Sequence, residues 1–249
     1  MNKQEWLSKC VEWKQKWPVM QDDYRANDKV GKVNIYAVLD AINQYSTSAD
    51  ILMGDAGSIS YAGPVALNAK EDQRFIFSPA QADMGWALPA SIGVSIASNQ
   101  PVIAIIGDGS FMSNLQELAV VKQHNLDIKF VILNNDGYLS IKNTQSRFYE
   151  GRVHGTSSET GLWFPKFEDI ARAFGLQYFQ VRKAKDLKTM GQLLSSKGPP
   201  IIIDCICLND QQILPAQTYR DGRQAGLHDM APLLDEEELR NELVVKDLG

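Results

Sequence analysis

Val102-Ile103-Ala104-Ile105-Ile106-Gly107-Asp108-Gly109-Ser110 and Phe130-Val131-Ile132-Leu133-Asn134-Asn135-Asp136-Gly137-Tyr138 decide the reading of this chain. Each is an apolar run that feeds directly into small, oxygen-bearing residues. Unbroken Ile/Val/Leu runs of this kind read as strands buried on both faces. Between them, Leu115, Leu118 and Ala119 fall at helical spacing in a segment from Phe111 to about His124. Taken singly, Gly-Asp-Gly makes a turn and Asn-Asp-Gly a hairpin. Taken together, with one helix and one strand between them, they form a ligand site at the carboxyl edge of a parallel sheet. Gly107 and Gly109 let the backbone approach a ligand closely. The following helix start offers unpaired N–H groups that suit a phosphate. Asp108 and Asn135 add a carboxylate and an amide oxygen, ligands for magnesium or calcium rather than zinc.

Working outward, apolar runs at 51–53, 75–77, 102–106, 129–133 and 201–206 read as strands. Helical patterns cover 33–44, 84–97, 113–124, 167–173 and 187–195. This alternation predicts an α/β fold, a doubly wound parallel sheet with helices on both faces. Three segments are expected: a connector helix over 1–20, the main ligand-binding domain over 21–230, and an acidic helix or tail over 231–249. In the first, Trp6, Cys10, Trp13 and Trp17 form one stripe of a helix that ends before Pro18. That helix either packs on the domain's own core or connects to a preceding domain. In the last, Asp235-Glu236-Glu237-Glu238 suits a helix start, with Leu239 and Leu243 on one face. It reads as a solvated tail or a docking segment. The Gly/Ser/Thr-rich stretch 151–163 reads as a mobile loop near the site.

Composition narrows the class. The 249 residues, 44% hydrophobic, suffice to bury a substantial core. A net charge of −5 argues against a nucleic-acid surface. No apolar stretch has the length of a membrane span, and the start lacks a signal-peptide pattern. Three cysteines, Cys10, Cys205 and Cys207, fit a reducing, cytoplasmic setting without a disulfide framework. The three histidines show no metal-ligand spacing.

At the two strand-end clusters the chain resembles the C-terminal, diphosphate-binding domain of the thiamine diphosphate enzymes, the acetolactate synthase and pyruvate decarboxylase family. The likeness runs from about residue 33 to 200. It implies a thiamine diphosphate-binding fold, with thiamine diphosphate and Mg2+ as cofactors. Asp108 and Asn135 are then side-chain ligands of the metal, and Gly137 adds its backbone carbonyl. Gly107, Gly109, Ser110 and Tyr138 belong to the diphosphate cradle, and Gly57-Ser58 resembles its first turn. Ala82-Asp83-Met84-Gly85-Trp86-Ala87 resembles the segment that holds the cofactor's rings. There Met84 matches the apolar residue that wedges the cofactor into a bent form, and Ala82 offers a carbonyl to the aminopyrimidine. Without those neighbours, Met84 reads as a core methionine.

The resemblance further implies a lyase or transferase, a decarboxylase or carboligase, acting on a 2-oxo acid or a sugar-like carbonyl compound. It also implies a homo- or hetero-oligomer. Relatives carry a glutamate on a second domain of similar shape, which promotes activation of the cofactor. The sequence expects that group from a partner chain or from another domain of a longer protein. Two departures bear on the reaction: acetolactate synthases place a tryptophan where Thr144 stands, and pyruvate decarboxylases a catalytic glutamate where Ile141 stands. No catalytic acid or base is assigned. The alternatives are a β-type subunit of a 2-oxoacid oxidoreductase, against which the lack of a cysteine cluster argues, and a cofactor-binding subunit without activity of its own.

Overall fold

The computed structural model describes residues 2–25 and 30–245. Residues 246–249 of the expected acidic tail lie outside them, as does Met1. The described chain forms two compact units, residues 1–211 and 212–249. The first contains, in order, α1 (Lys3–Lys16), α2 (Asp22–Arg25), α3 (Ile35–Tyr45), β1 (Ile51–Gly54), α4 (Ser58–Ala66), β2 (Phe75–Phe77) and α5 (Ala87–Ser98). It continues through β3 (Val102–Gly107), α6 (Asp108–Phe111), α7 (Leu118–Gln123), β4 (Ile128–Asn134) and α8 (Leu139–Phe148). It closes with α9 (Phe167–Phe174), β5 (Gln177–Val181), α10 (Ala184–Ser195) and β6 (Ile201–Ile206).

The six strands form one sheet in the order β2-β1-β3-β4-β6-β5, with every pairing parallel. The centre is where the sequence is most apolar. Val102 pairs with Ile128, Ala104 with Phe130 and Ile106 with Ile132, all fully buried. On this face Phe130 meets Phe111 with ring centroids 5.7 Å apart, and Phe111 meets Phe167 at the same distance. Burying one such side chain stabilises by about 1.5–3 kcal/mol, so Phe111 anchors the turn just after β3. On the opposite face Ile103, Ile105, Val131 and Ile203 are equally buried. There Met190 of α10 lies against Cys205, sulfur to sulfur at 3.8 Å. With helices on both faces, the doubly wound fold is as the sequence reads. After β1 the chain moves outward to β2, then returns to β3 on β1's other side, which opens a crevice at the carboxyl ends of β1 and β3.

Several boundaries differ for identifiable reasons. The helix expected over 113–124 begins earlier, at Asp108, and passes through a 3-10 stretch (Met112–Glu117) before α7. The break falls at Asn114, whose φ of −138° is not helical and whose side chain is held by Gly85. The helix expected from 33 starts at Ile35, because Val33 instead bridges to Cys207 and Asn34 caps α3 by accepting the Tyr36 N–H. The helix expected from 84 starts at Ala87, since Gly85 takes a φ of +83°. Strand β5 was not in the sequence reading. Gln177-Tyr178-Phe179-Gln180-Val181 is an edge strand paired only with β6, so it lacks the apolar run that marks the others. Finally, none of α1's residues is buried and Trp6 stays 46% exposed. Cys10, Trp13 and Trp17 of its apolar stripe and C-cap are half-buried.

In the second unit, β7 (Tyr219–Arg220) and β8 (Arg223–Gln224) form a short antiparallel hairpin. Arg220 grips Asp229 through two hydrogen bonds of 2.6 and 2.9 Å and donates a third to the Leu234 carbonyl. Helix α11 (Glu236–Glu242) follows, capped by the Asp235 side chain, which accepts the Glu237 N–H at 2.9 Å.

Candidate functional site

The crevice at the sheet's carboxyl edge collects the loops after β1, β3 and β4. All the residues singled out from the sequence line it: Gly57, Ser58, Ala82, Met84, Gly107, Asp108, Gly109, Ser110, Asn135, Gly137 and Tyr138. It encloses about 230 Å3, less than the roughly 300–1,000 Å3 of a cavity that buries a cofactor-sized ligand. The described residues thus form an open cleft suited to part of such a ligand.

Asp108 organises the floor. Its side chain is 1% exposed and accepts the Gly109 N–H at 2.8 Å and the Gly137 N–H at 2.9 Å. One carboxylate therefore ties the two sequence clusters together. Burial raises its pKa from the ordinary 3.8 to about 7, although the backbone N–H groups of Gly137, Gly109, Asn135 and Asp136 pull the other way. Behind it the Cys207 thiol is held above its usual range by burial first, then by the charges of Asp108 and Asp204. That sulfur remains a protonated packing group.

Asn135 is 6% exposed, and its side-chain oxygen is buried without a hydrogen-bond partner. A buried acceptor left unpaired costs about 1–3 kcal/mol and calls for an explanation, of which an ion is one. A buried carboxylate and an orphaned amide oxygen on adjacent strand ends suit a hard cation with oxygen ligands, and magnesium fits that donor set. The Gly137 carbonyl accepts the Leu139 N–H at 3.2 Å and keeps a second lone pair. Next door, Asn134 donates to the buried Asp204 at 2.9 Å, and Asp204 also accepts from the Tyr178 hydroxyl. This network fixes the end of β4 from behind.

An anion is provided for as well. Helix α4 begins at Ser58 and α8 at Leu139, both at the cleft, and neither N-cap side chain caps its helix. The positive dipole ends of both helices face the cleft, an arrangement that suits a phosphate. Gly57 turns into α4 with a φ of +73°. Tyr138 lays its ring on Gly109, where an added Cβ would sit 2.3 Å from the ring.

The upper wall carries Ala82, at a φ of +53°, and Met84, which is 43% exposed and lines the cleft. The core-methionine reading of Met84 is thereby excluded. Among the lining residues that the sequence reading did not assign to the site are Ser60, Tyr61, Ser140 and Ile141. They follow Gly57-Ser58 and Tyr138 on the first turns of α4 and α8, so the helix starts themselves were the available signal. The stretch 151–163 does adjoin the site, but its middle is tied down. The Tyr138 N–H donates to the Thr156 carbonyl at 2.9 Å, and Ser158 donates twice to Asp136.

The pKa of Asp108 makes a prediction for the metal-free chain. Between about pH 4 and 7 the folded state keeps a proton that the unfolded state has lost. The stability tied to that proton is fully present below pH 4 and is lost as pH rises through 7. The difference in unfolding free energy between the parent chain and Asp108→Asn is expected to fall across this window and flatten above it. Denaturant titrations at a series of pH values test this, and a pH-independent difference would refute it. No helix among the described residues is long and apolar enough to cross a membrane. Among them, no cluster of three His, Cys, Asp or Glu stands ready for a metal.

The family model for the C-terminal TPP-binding domain of thiamine pyrophosphate enzymes matches residues 55–205. The acetolactate synthase large subunit of Cyanidium caldarium is 31% identical over 85% of this chain and 35% of its own length. Acetolactate synthase 3, chloroplastic, of Brassica napus is 28% identical over 84% of this chain and 32% of its own. The mitochondrial acetolactate synthase of Schizosaccharomyces pombe is 28% identical over 85% and 31%. The chain spans about a third of the length of these relatives.

Proposed function

The chain belongs to the thiamine pyrophosphate enzymes, as their C-terminal TPP-binding domain, and from that premise we propose that its cleft anchors thiamine diphosphate through one magnesium ion for an acetolactate synthase-like reaction. The observation that carries the metal is the unpaired Asn135 oxygen beside the buried Asp108 carboxylate. Asp108 and Asn135 hold the ion by side chains and Gly137 by its carbonyl. Without a cation there, the Asp108 carboxylate would repel a diphosphate. Gly57, Ser58, Gly107, Gly109, Ser110 and Tyr138 cradle that diphosphate with backbone groups and the starts of α4 and α8.

When bound, thiamine diphosphate supplies a carbon nucleophile for a carbonyl group and a sink for the electrons of a breaking carbon–carbon bond. The chain's own residues bind, orient and shield. Met84 wedges the ring end and keeps water from it, and Ala82 offers a backbone acceptor on the same wall. Among the described residues, the cleft lining carries no carboxylate, histidine or lysine besides Asp108. In the family's pattern the group that promotes ring activation is a glutamate, supplied on this reading by a partner chain or another domain, within an oligomer. The substrate class is a 2-oxo acid or a related sugar-like carbonyl compound, and the compartment a reducing one, the cytoplasm, where the free thiols of Cys10, Cys205 and Cys207 persist.

The test is an assay of pyruvate loss by the chain with magnesium and thiamine diphosphate, alone and mixed with a glutamate-bearing domain of a related enzyme. Turnover should appear only in the mixture. Full turnover by the chain alone would overturn the shared-site reading. Cofactor binding without turnover in every mixture would favour a subunit with no activity of its own.

A further inference from the structure

We infer that Asp55 is a positioning residue, which fixes the turn bearing Met84 and thereby the ring end of the cofactor site; the inference rests on the thiamine diphosphate reading above. Asp55 directly follows β1 and is 3% exposed, and its own N–H donates to the Ile105 carbonyl at 3.1 Å. Its carboxylate accepts three backbone N–H groups: Ala56 at 2.8 Å, Gly85 at 3.0 Å and Ala87 at 2.7 Å. The last two lie about thirty positions along the chain. One side chain thus clasps the turn on either side of Trp86, immediately after Met84.

The same turn is held from the other side. The Asn114 side chain donates to the Gly85 carbonyl at 2.9 Å. An added Cβ on Gly85 would lie 2.7 Å from Ser113 and 3.0 Å from the Ser110 carbonyl. Both polar groups of Gly85 are therefore bound, one to the end of β1 and one to the segment that follows the diphosphate turn. The chemistry of the donors accounts for the residue type. Three N–H groups converge on one side chain, and the two oxygens of a carboxylate can accept all three, where an amide would offer one oxygen only.

Met84 needs such a hold. Its side chain is 43% exposed, so core packing does not aim it and the backbone turn must. Asp55 itself is not in the lining of the cleft, and it acts through Gly85 and Ala87 rather than by touching a ligand.

The experiment compares the parent chain with Asp55→Asn and Asn114→Ala. Asn at 55 keeps the shape and one acceptor but turns a donor toward a backbone N–H. Amide hydrogen exchange at residues 85–87 is measured without ligand. Calorimetry then compares magnesium-dependent binding of thiamine diphosphate with that of inorganic pyrophosphate, which probes the metal and phosphate end alone. Asp55→Asn is expected to speed exchange at 85–87 and to weaken thiamine diphosphate about tenfold to a hundredfold, with pyrophosphate affinity unchanged. Asn114→Ala should move both readouts in the same direction by a smaller factor, and it carries the test if Asp55→Asn does not fold. Unchanged exchange, or equal losses for both ligands, would overturn the inference. If the parent chain binds neither ligand, the cofactor reading fails, while the exchange data still decide whether Asp55 holds the turn.

Discussion

Asp108→Asn is expected to lower the magnesium-dependent affinity for thiamine diphosphate by at least about a hundredfold, given that even outer partners of a bound metal are worth ten- to a hundredfold. At pH 8 the same substitution should leave the metal-free chain as stable as its parent, or more so. The two effects have one cause. Asp108 is buried with its pKa raised to about 7, so above neutrality the empty site holds a charge that the protein solvates poorly. Asparagine keeps the shape and one acceptor and removes that charge. A residue kept for stability would behave in the opposite way. Thermal unfolding at pH 8 and calorimetric titration with magnesium and thiamine diphosphate measure both sides. Lower stability with unchanged affinity would contradict the assignment.

Gly137→Ala is expected to cost about 3 kcal/mol of stability and to abolish magnesium-dependent binding. Gly137 has a φ of +137°, and its added Cβ would stand 2.0 Å from the Thr156 carbonyl oxygen. That atom is backbone and cannot rotate away. The Gly137–Ser157 bridge must open, and with it the Tyr138 N–H bond to Thr156. The movement also withdraws the Gly137 N–H from Asp108. Gly109→Ala serves as the comparison. Its Cβ meets the Tyr138 ring, a side chain that can swing, so a smaller loss of stability is expected. Denaturant unfolding of the two variants ranks them, and a larger cost at 109 than at 137 would count against the described packing.

What the sequence made legible follows from what each part of the fold depends on. The central strands announce themselves because both faces are buried, which demands unbroken apolar runs. The cleft residues announce themselves because Gly, Asp, Asn and Ser cluster where the apolar runs end. Strand β5 did not, since an edge strand with partly exposed residues needs no such run. The break at Asn114 did not, because its cause is a bond to Gly85, distant in sequence. Asp55 escaped notice for the same reason. Nothing local distinguishes a loop aspartate from one whose carboxylate accepts three backbone N–H groups, and the bonds to Gly85 and Ala87 exist only once β1 and the start of α5 lie side by side. The raised pKa of Asp108 was likewise invisible, since it comes from the depth of burial.

The account's central claim is that this chain by itself carries the metal and diphosphate half of a thiamine diphosphate site. The direct measurement is a calorimetric titration of the purified chain with inorganic pyrophosphate, with magnesium and with the magnesium removed by chelation. The account predicts one saturable site per chain with magnesium, none without it, and none in Asp108→Asn under either condition. Binding that ignores magnesium, or no binding in either condition, would contradict it.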